Sequence, residues 1–280
     1  MVLRFSSCQA GIAEPFCMEL VNFISAESGL PCEFVNDLSW QERERLLLGE
    51  IHVCWMCGLA YVRESNRQDK LIELLVAPVR RHPRYHAKSV YYSDVIVRTD
   101  TSFHSFEDLC GRTWAYNERG SHSGFNIVRY HLAMRGLDQN FFGRIVESGS
   151  HRNSLQMVLQ RPIDTAAIDS SVLELEVAKD PAISGQIRTV EILGTSPAPP
   201  WVVHNSVSAD MRKTLSDILL SMNEHPKGRR ILEAGRMLRF APVSNHDYDQ
   251  IREMNRIANA NLTDPKISSS MCPASITKEY

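Results

Sequence analysis

Short apolar runs alternate with amphipathic stretches along most of the chain. Val2–Phe5, Cys32–Val35, Ile51–Trp55, Leu71–Pro78 and Val90–Val97 read as strands. Thr113–Tyr116, Arg144–Glu147, Ile163–Ile168, Ile187–Ile192 and Trp201–His204 continue the series. Helical spacing of apolar residues marks Ala13–Ser25, Trp40–Leu48, Ser105–Leu109, Ser123–Arg135, His151–Leu159 and Ser171–Lys179. Gly49 and Gly136 stand where two of these helices should stop. Helices dominate afterwards, at Ala209–Met222, Lys227–Ala234 and Asp247–Ala258. Strands and helices in alternation, with short connections, predict an α/β fold of parallel sheets covered by helices. Residues 263–280 carry no periodic apolar pattern and are expected to form a disordered tail.

Length and charge narrow the picture. A chain of 280 residues is long enough for two lobes, each with its own core. The formal net charge is -2, which leaves no global positive field for nucleic acid or an anionic membrane. An anion site must therefore be local. No apolar run reaches the roughly 18 residues of a membrane span. The N-terminus, MVLRFSSCQAGIAEPFC, lacks the pattern of a secretion signal, so the sequence as written predicts a cytoplasmic protein, or a periplasmic one from which a signal was removed. Seven cysteines, an odd number, point to reduced thiols. Cys54 and Cys57 form a C-x-x-C, but no second pair completes a zinc site, and neither a metal nor a cofactor is expected.

The candidate chemistry lies where strands give way to helices. Tyr116-Asn117-Glu118-Arg119-Gly120-Ser121-His122-Ser123-Gly124 follows a strand and opens a helix. A helix start carries unpaired N–H groups and partial positive charge. The hydroxyls of Ser121 and Ser123 add donors, and Gly124 permits close approach, which is how a helix start holds a tetrahedral oxyanion. The plain alternative is a serine N-cap. Glu147-Ser148-Gly149-Ser150-His151 repeats the layout and puts His151 in a first helical turn. Ala167-Ile168-Asp169-Ser170-Ser171 repeats it again, with Asp169 as an N-cap or as acceptor for a protonated ligand oxygen. Three such junctions suggest one shared site beyond the carboxyl ends of the strands.

Taken in order, V-x-W-M-C-G-L-A-Y-V, Y-Y-S-D-V-I-V, Y-N-E-x-x-S-H-S-G, E-S-G-S-H-x-x-S and A-I-D-S-x-V-L resemble the phosphate, phosphite and phosphonate substrate-binding proteins of ABC transporters. The resemblance spans roughly residues 2 to 260. It implies the two-lobed type II periplasmic-binding fold with two hinge crossings. Lobe 1 would comprise 1–93 and 199–262, and lobe 2 would comprise 94–198. It also implies closure on a small phosphorus oxyanion in the interlobe cleft, for transport or sensing. The family's Ser-x-Ser helix start is matched by Ser121, His122 and Ser123, and its helix-opening histidine by His151. Tyr92 on the crossing strand would add a contact from the hinge. His122 stands where many relatives have threonine, so its contact would come through the backbone. Ser7, Cys57 and Gly58, with Ser6 nearby, would supply the first lobe's contacts. Partners would be the small oxyanion and an ABC transporter or a signalling protein, with no nucleic acid and no membrane insertion.

The competing expectation is a cytosolic enzyme on the same fold, of the kind that acts in menaquinone or thiamine-precursor synthesis. His151, His122 and Cys57 would be its acid–base or self-consumed groups.

Overall fold

The computed structural model describes residues 2–9, 11–35 and 44–260. The chain separates into two compact units. The first comprises the described residues through Tyr91 together with Thr195–Ile251, and the second comprises Tyr92–Gly194 and residues 252–260. The sequence had assigned everything from 199 to 262 to the first lobe. The C-terminal helix α10 (Asp249–Ala260) instead changes allegiance within its length. Its Ile251 joins a core cluster of the first unit, and its Met254 joins the core of the second. Farther along the helix, the carbonyl of Ala258 accepts from the Arg129 guanidinium at 2.6 Å.

The first unit holds a six-stranded sheet in the order β11-β4-β10-β3-β1-β2. These strands are β1 (Leu3–Ser7), β2 (Cys32–Phe34), β3 (Val53–Trp55), β4 (Ile72–Arg80), β10 (Trp201–His204) and β11 (Met237–Ala241). β1 runs parallel to β2 and β3, whereas β10 and β11 enter antiparallel. The sheet is thus mixed, not all-parallel as expected. Helices α1 (Glu14–Ser28), α8 (Ala209–Ser221) and α9 (Pro226–Ala234) supply Leu20, Ile24, Leu215, Leu219 and Leu232 to one apolar cluster with the sheet. α1 begins with a proline in its first turn and ends on Gly29, whose φ of 69° suits a left-handed cap. Trp55 sits in this cluster. It stacks on Trp201 at 5.6 Å, meets the edge of Phe16 at 5.8 Å, and donates its indole N–H to the carbonyl of Pro199 at 3.0 Å.

The second unit holds a five-stranded sheet in the order β7-β6-β8-β5-β9. These are β5 (Val90–Arg98), β6 (Thr113–Tyr116), β7 (Arg144–Glu147), β8 (Thr165–Asp169) and β9 (Ile187–Pro197). β6 is parallel to both β7 and β8, while β5 is antiparallel to β8. Phe106, Trp114, Phe141, Phe142 and Leu132 fill its core. Several elements depart from the sequence reading. β9 runs five residues past Ile192, to Pro197. β11 buries Met237 and Phe240 and shifts register against β4 between Met237 and Arg239; it has no counterpart in the sequence reading. The CGLAY turn opens helix α3 (Gly58–Ser65), and the expected Ser105–Leu109 helix shrinks to a single tight turn at Glu107–Leu109. Of the Trp40–Leu48 helix, only α2 (Glu44–Leu47) falls among the described residues, and the 263–280 tail lies outside them.

No helix among the described residues is long and apolar enough to cross a membrane. Cys8, Cys17, Cys32, Cys54 and Cys57 are not disulfide-bonded. Cys110 is disulfide-bonded, which departs from the expectation that all thiols are reduced.

Trp55→Ala is expected to destabilise the protein by about 3–5 kcal/mol, because it empties a packed aromatic site and strands the Pro199 carbonyl. Trp55→Phe should lose less. Equal unfolding midpoints for wild type and Trp55→Ala in a urea titration would show that the indole is not central to this core.

Candidate functional site

The parallel ladder between β6 and β7 does not stop where the strands end. Its register pairs Thr113 with Arg144 and Tyr116 with Glu147. Beyond it, the Ser148 N–H donates to the Tyr116 carbonyl and the Gly149 N–H to the Asn117 carbonyl, both at 2.8 Å. Gly149, at φ 83°, supplies the left-handed residue that this extension needs. The two loops therefore leave the sheet side by side. The Ser148 hydroxyl pins its own loop, its single proton shared between the Tyr116 and Ser150 carbonyls at 3.1 and 3.0 Å while its oxygen lies 2.6 Å from Ser154 Oγ.

Each loop then starts a helix. The first opens with a wide turn at His122–Asn126, closed by a bond from the Asn126 N–H to the Ser121 carbonyl, and continues as α4 (Ile127–Met134). Ser121 caps it, its Oγ accepting from the Gly124 N–H at 3.1 Å. The second helix is α5 (His151–Leu159), capped by Ser150 Oγ accepting from the Asn153 N–H at 3.0 Å. The outcome is a contact between the two starts, with Ser123 Oγ 2.8 Å from His151 Nε2. Ser121 Oγ lies 3.5 Å from Ser123 Oγ. From β5, the Ser93 hydroxyl donates to the Ser123 carbonyl at 2.9 Å and holds the turn against the sheet.

Two polar atoms here are buried with no hydrogen-bond partner among the described residues, Asn117 Oδ1 and His151 Nδ1. Buried polar atoms without partners are costly and uncommon, and a site awaiting a ligand is one reason they persist. Gly124 lies between them. A Cβ added there would come within 2.0 Å of Asn117 Oδ1 and 3.2 Å of His151 Cε1. Only glycine leaves room for both side chains.

The third junction joins the same end of the sheet, because β8 lies beside both β6 and β5. Asp169 caps α6 (Ser170–Lys179), accepting from the Ser171 N–H at 2.8 Å and the Ser171 hydroxyl at 2.7 Å. The capping reading of Asp169 thus accounts for one of its oxygens. Its charge is also felt by His151. The Tyr92 N–H donates to Ser170 Oγ at 3.1 Å, tying the crossing strand to the start of α6.

Burial sets the protonation of the histidines. Desolvation pushes His151 down to about 4, against a smaller upward pull from Asp169. Burial alone takes His122 to about 3. His151 is therefore neutral at pH 7. His122 is fully buried, with Nδ1 against the Asn126 amide at 3.2 Å.

In the first unit, the expected contact residues stand at the carboxyl ends of β1 and β3. Ser7 Oγ accepts from the Gln9 N–H at 3.1 Å. Ser6 is fully buried and donates to the Val35 carbonyl, which is a structural role. Cys57 is half-buried at the start of α3. Gly58 packs against Ile251 and Tyr248, and a Cβ there would meet Ile251 Cδ1 at 2.7 Å. Its space is already taken by the core, so its part is packing. Asn117 and Ser93 were not singled out from the sequence, although both lie in strings that carried the resemblance. Their signal was position beside the serine turn, visible only once β5, β6 and β7 are paired.

Two outcomes follow from this geometry. His122 and His151 gain protons on unfolding, since their folded values lie below the ordinary 6.5. Their contribution to stability is full above about pH 6.5 and is lost as pH falls towards 4, by roughly 1.4 kcal/mol per histidine per pH unit. His151→Asn should flatten the fall in urea midpoint between pH 7 and pH 5; an unchanged slope would contradict a neutral, buried His151. Gly124→Ala should cost about 1–3 kcal/mol through overpacking. Adding Asn117→Ala should recover most of that, and no recovery would place the clash elsewhere.

The family model for periplasmic substrate-binding proteins of phosphonate ABC transporters matches residues 16–248. Among solved structures, a binding-protein component of an ABC phosphonate transporter from Pseudomonas aeruginosa superposes with a TM-score of 0.81 at 18% identity, covering 93% of this chain and 87% of that one. PhnD1 from Prochlorococcus marinus, in complex with methylphosphonate, gives 0.80 at 17% identity, covering 92% and 98%. A Xanthomonas citri protein bound to ATP gives 0.70 at 18% identity, covering 93% and 98%. At these identities the likeness establishes the fold, the type II periplasmic-binding architecture, and the family match over residues 16–248 supplies the rest: the chain belongs to the phosphonate-binding family of ABC-transporter substrate-binding proteins.

Proposed function

We propose that the second unit holds the phosphorus oxyanion of a phosphonate, or of phosphate or phosphite, at the cluster of Ser121, Ser123 and His151. The carrying observation is the 2.8 Å contact between Ser123 Oγ and a neutral, buried His151 Nε2. If Nε2 carries the proton and donates to Ser123 Oγ, the serine hydroxyl hydrogen is released towards a ligand oxygen. The Ser121 hydroxyl and the first-turn N–H groups supply further donors aligned with the helix dipole. Asn117 meets the ligand with its carbonyl oxygen against a protonated oxygen, or with its NH₂ after a flip. Charge recognition then comes from neutral dipoles, which suits a chain whose net charge is -2. The methylphosphonate complex of the Prochlorococcus marinus neighbour supports this ligand class.

The chain acts by reversible binding and delivers its ligand to an ABC transporter outside the inner membrane. The family's periplasmic description supports that placement over the cytoplasmic one. Serine beside histidine is also the beginning of a nucleophile–base pair, but catalysis needs the histidine's second nitrogen oriented by a partner. His151 Nδ1 has none among the described residues, and a base held near 4 is weak at neutral pH.

Calorimetry against methylphosphonate, 2-aminoethylphosphonate, phosphite and phosphate tests the reading. At least one should bind, and Ser121→Ala with Ser123→Ala should weaken it by about 3 kcal/mol, roughly a hundredfold in Kd. The recovered ligand should be chemically unchanged. Unaltered affinity in a folded double variant would remove the serine turn from the site.

A further inference from the structure

We propose that Cys8 and Cys54 are a site of redox modification in the first unit, closing to a disulfide when a small-molecule disulfide is supplied. The placement follows from the sheet. β1 and β3 are parallel neighbours, with Ser6 opposite Cys54 and Ser7 opposite Trp55. The ladder runs one residue past β1, the Cys8 N–H donating to the Trp55 carbonyl at 2.9 Å. Side chains two apart on a strand share a face, so Cys8 lies on the face of Ser6 and therefore on that of Cys54. Their sulfurs stand 3.7 Å apart. Side-chain rotation has only to close that gap to the ~2.05 Å of a disulfide. Cys57 is the neighbour of Cys54 in the C-x-x-C, whereas strand pairing brings Cys8 to it across 46 residues of sequence.

The two thiols are unequal. Cys54 is 1% exposed, and its thiol is held well above the usual range by its hydrogen bond to Cys8 and by burial. Cys8 is half-buried and accessible. Cys8 therefore reacts first. Its thiolate attacks one sulfur of glutathione disulfide, expels one glutathione thiolate and forms a mixed disulfide. Cys54 gives its proton to a thiolate in solution and attacks the Cys8 sulfur, expelling the second glutathione. Two protein thiols and one glutathione disulfide become one protein disulfide and two glutathiones. The bond fixes Cys8, between Ser7 and Gln9, just past the end of β1.

The experiment incubates the native full chain with glutathione disulfide, blocks remaining thiols with iodoacetamide, and maps cross-links by mass spectrometry. A Cys8–Cys54 peptide pair is expected in the wild type and none in Cys8→Ser. The oxidised wild type should melt about 5 °C or more above its reduced form. Cys8→Ser should lack that increment, which separates it from any contribution of Cys110. Cys8 remaining fully alkylated, stopping at the mixed disulfide, or Cys54 cross-linking to Cys57 would each overturn the proposal. Calorimetry with methylphosphonate on both redox forms then reads the effect on binding. A chain that cross-links but binds no oxyanion overturns the functional reading and leaves the modification site standing.

Discussion

The second unit depends on a backbone constraint, the continuation of the β6–β7 ladder into the loops beyond it. Two bonds, from Ser148 to the Tyr116 carbonyl and from Gly149 to the Asn117 carbonyl, keep the loops parallel after the strands have ended. A serine turn and a histidine that are 28 residues apart in sequence then meet at hydrogen-bond distance. Side chains alone would not fix this contact, because long flexible loops pay an ordering entropy that one hydrogen bond barely offsets. The bonds cost the helices nothing, since they use carbonyls and N–H groups that lie outside both.

This rigidity has an electrostatic corollary. The proposed oxyanion cluster is made of hydroxyls, backbone N–H groups and an uncharged imidazole, with the Asp169 carboxylate close enough to act on His151. The cost appears as two buried polar atoms without partners, Asn117 Oδ1 and His151 Nδ1, and as histidines forced neutral by burial. Glycine at position 124 is the steric condition for the arrangement, because Asn117 and His151 crowd the place of its missing side chain.

The first unit solves a different problem. Its sheet gathers strands from both ends of the chain, and β10 lies between β3 and β4. Trp55 and Trp201, opposite each other in that pairing, stack and bring the N-terminal and C-terminal contributions into one core. The same pairing of β1 with β3 places the Cys8 and Cys54 sulfurs together. Packing and reactivity in this unit thus share one origin, the register of short central strands.

The sequence by itself determined the α/β class, most of the strands and helices, the family, and the Ser121–Ser123 and His151 helix starts. These are local properties, written in apolar periodicity, in glycine stops and in serine caps that need no distant partner. Tertiary structure decided the rest. Strand direction depends on which strands become neighbours, so the antiparallel entry of β10, β11 and β5 was not legible. β11 was missed because its burial depends on β4, and α10 was assigned to one unit although the boundary between the two units falls within it. Gly58 looked like a ligand contact until Ile251 filled its space. In each case the deciding partner lies far away in sequence, and only the packed chain brings it near.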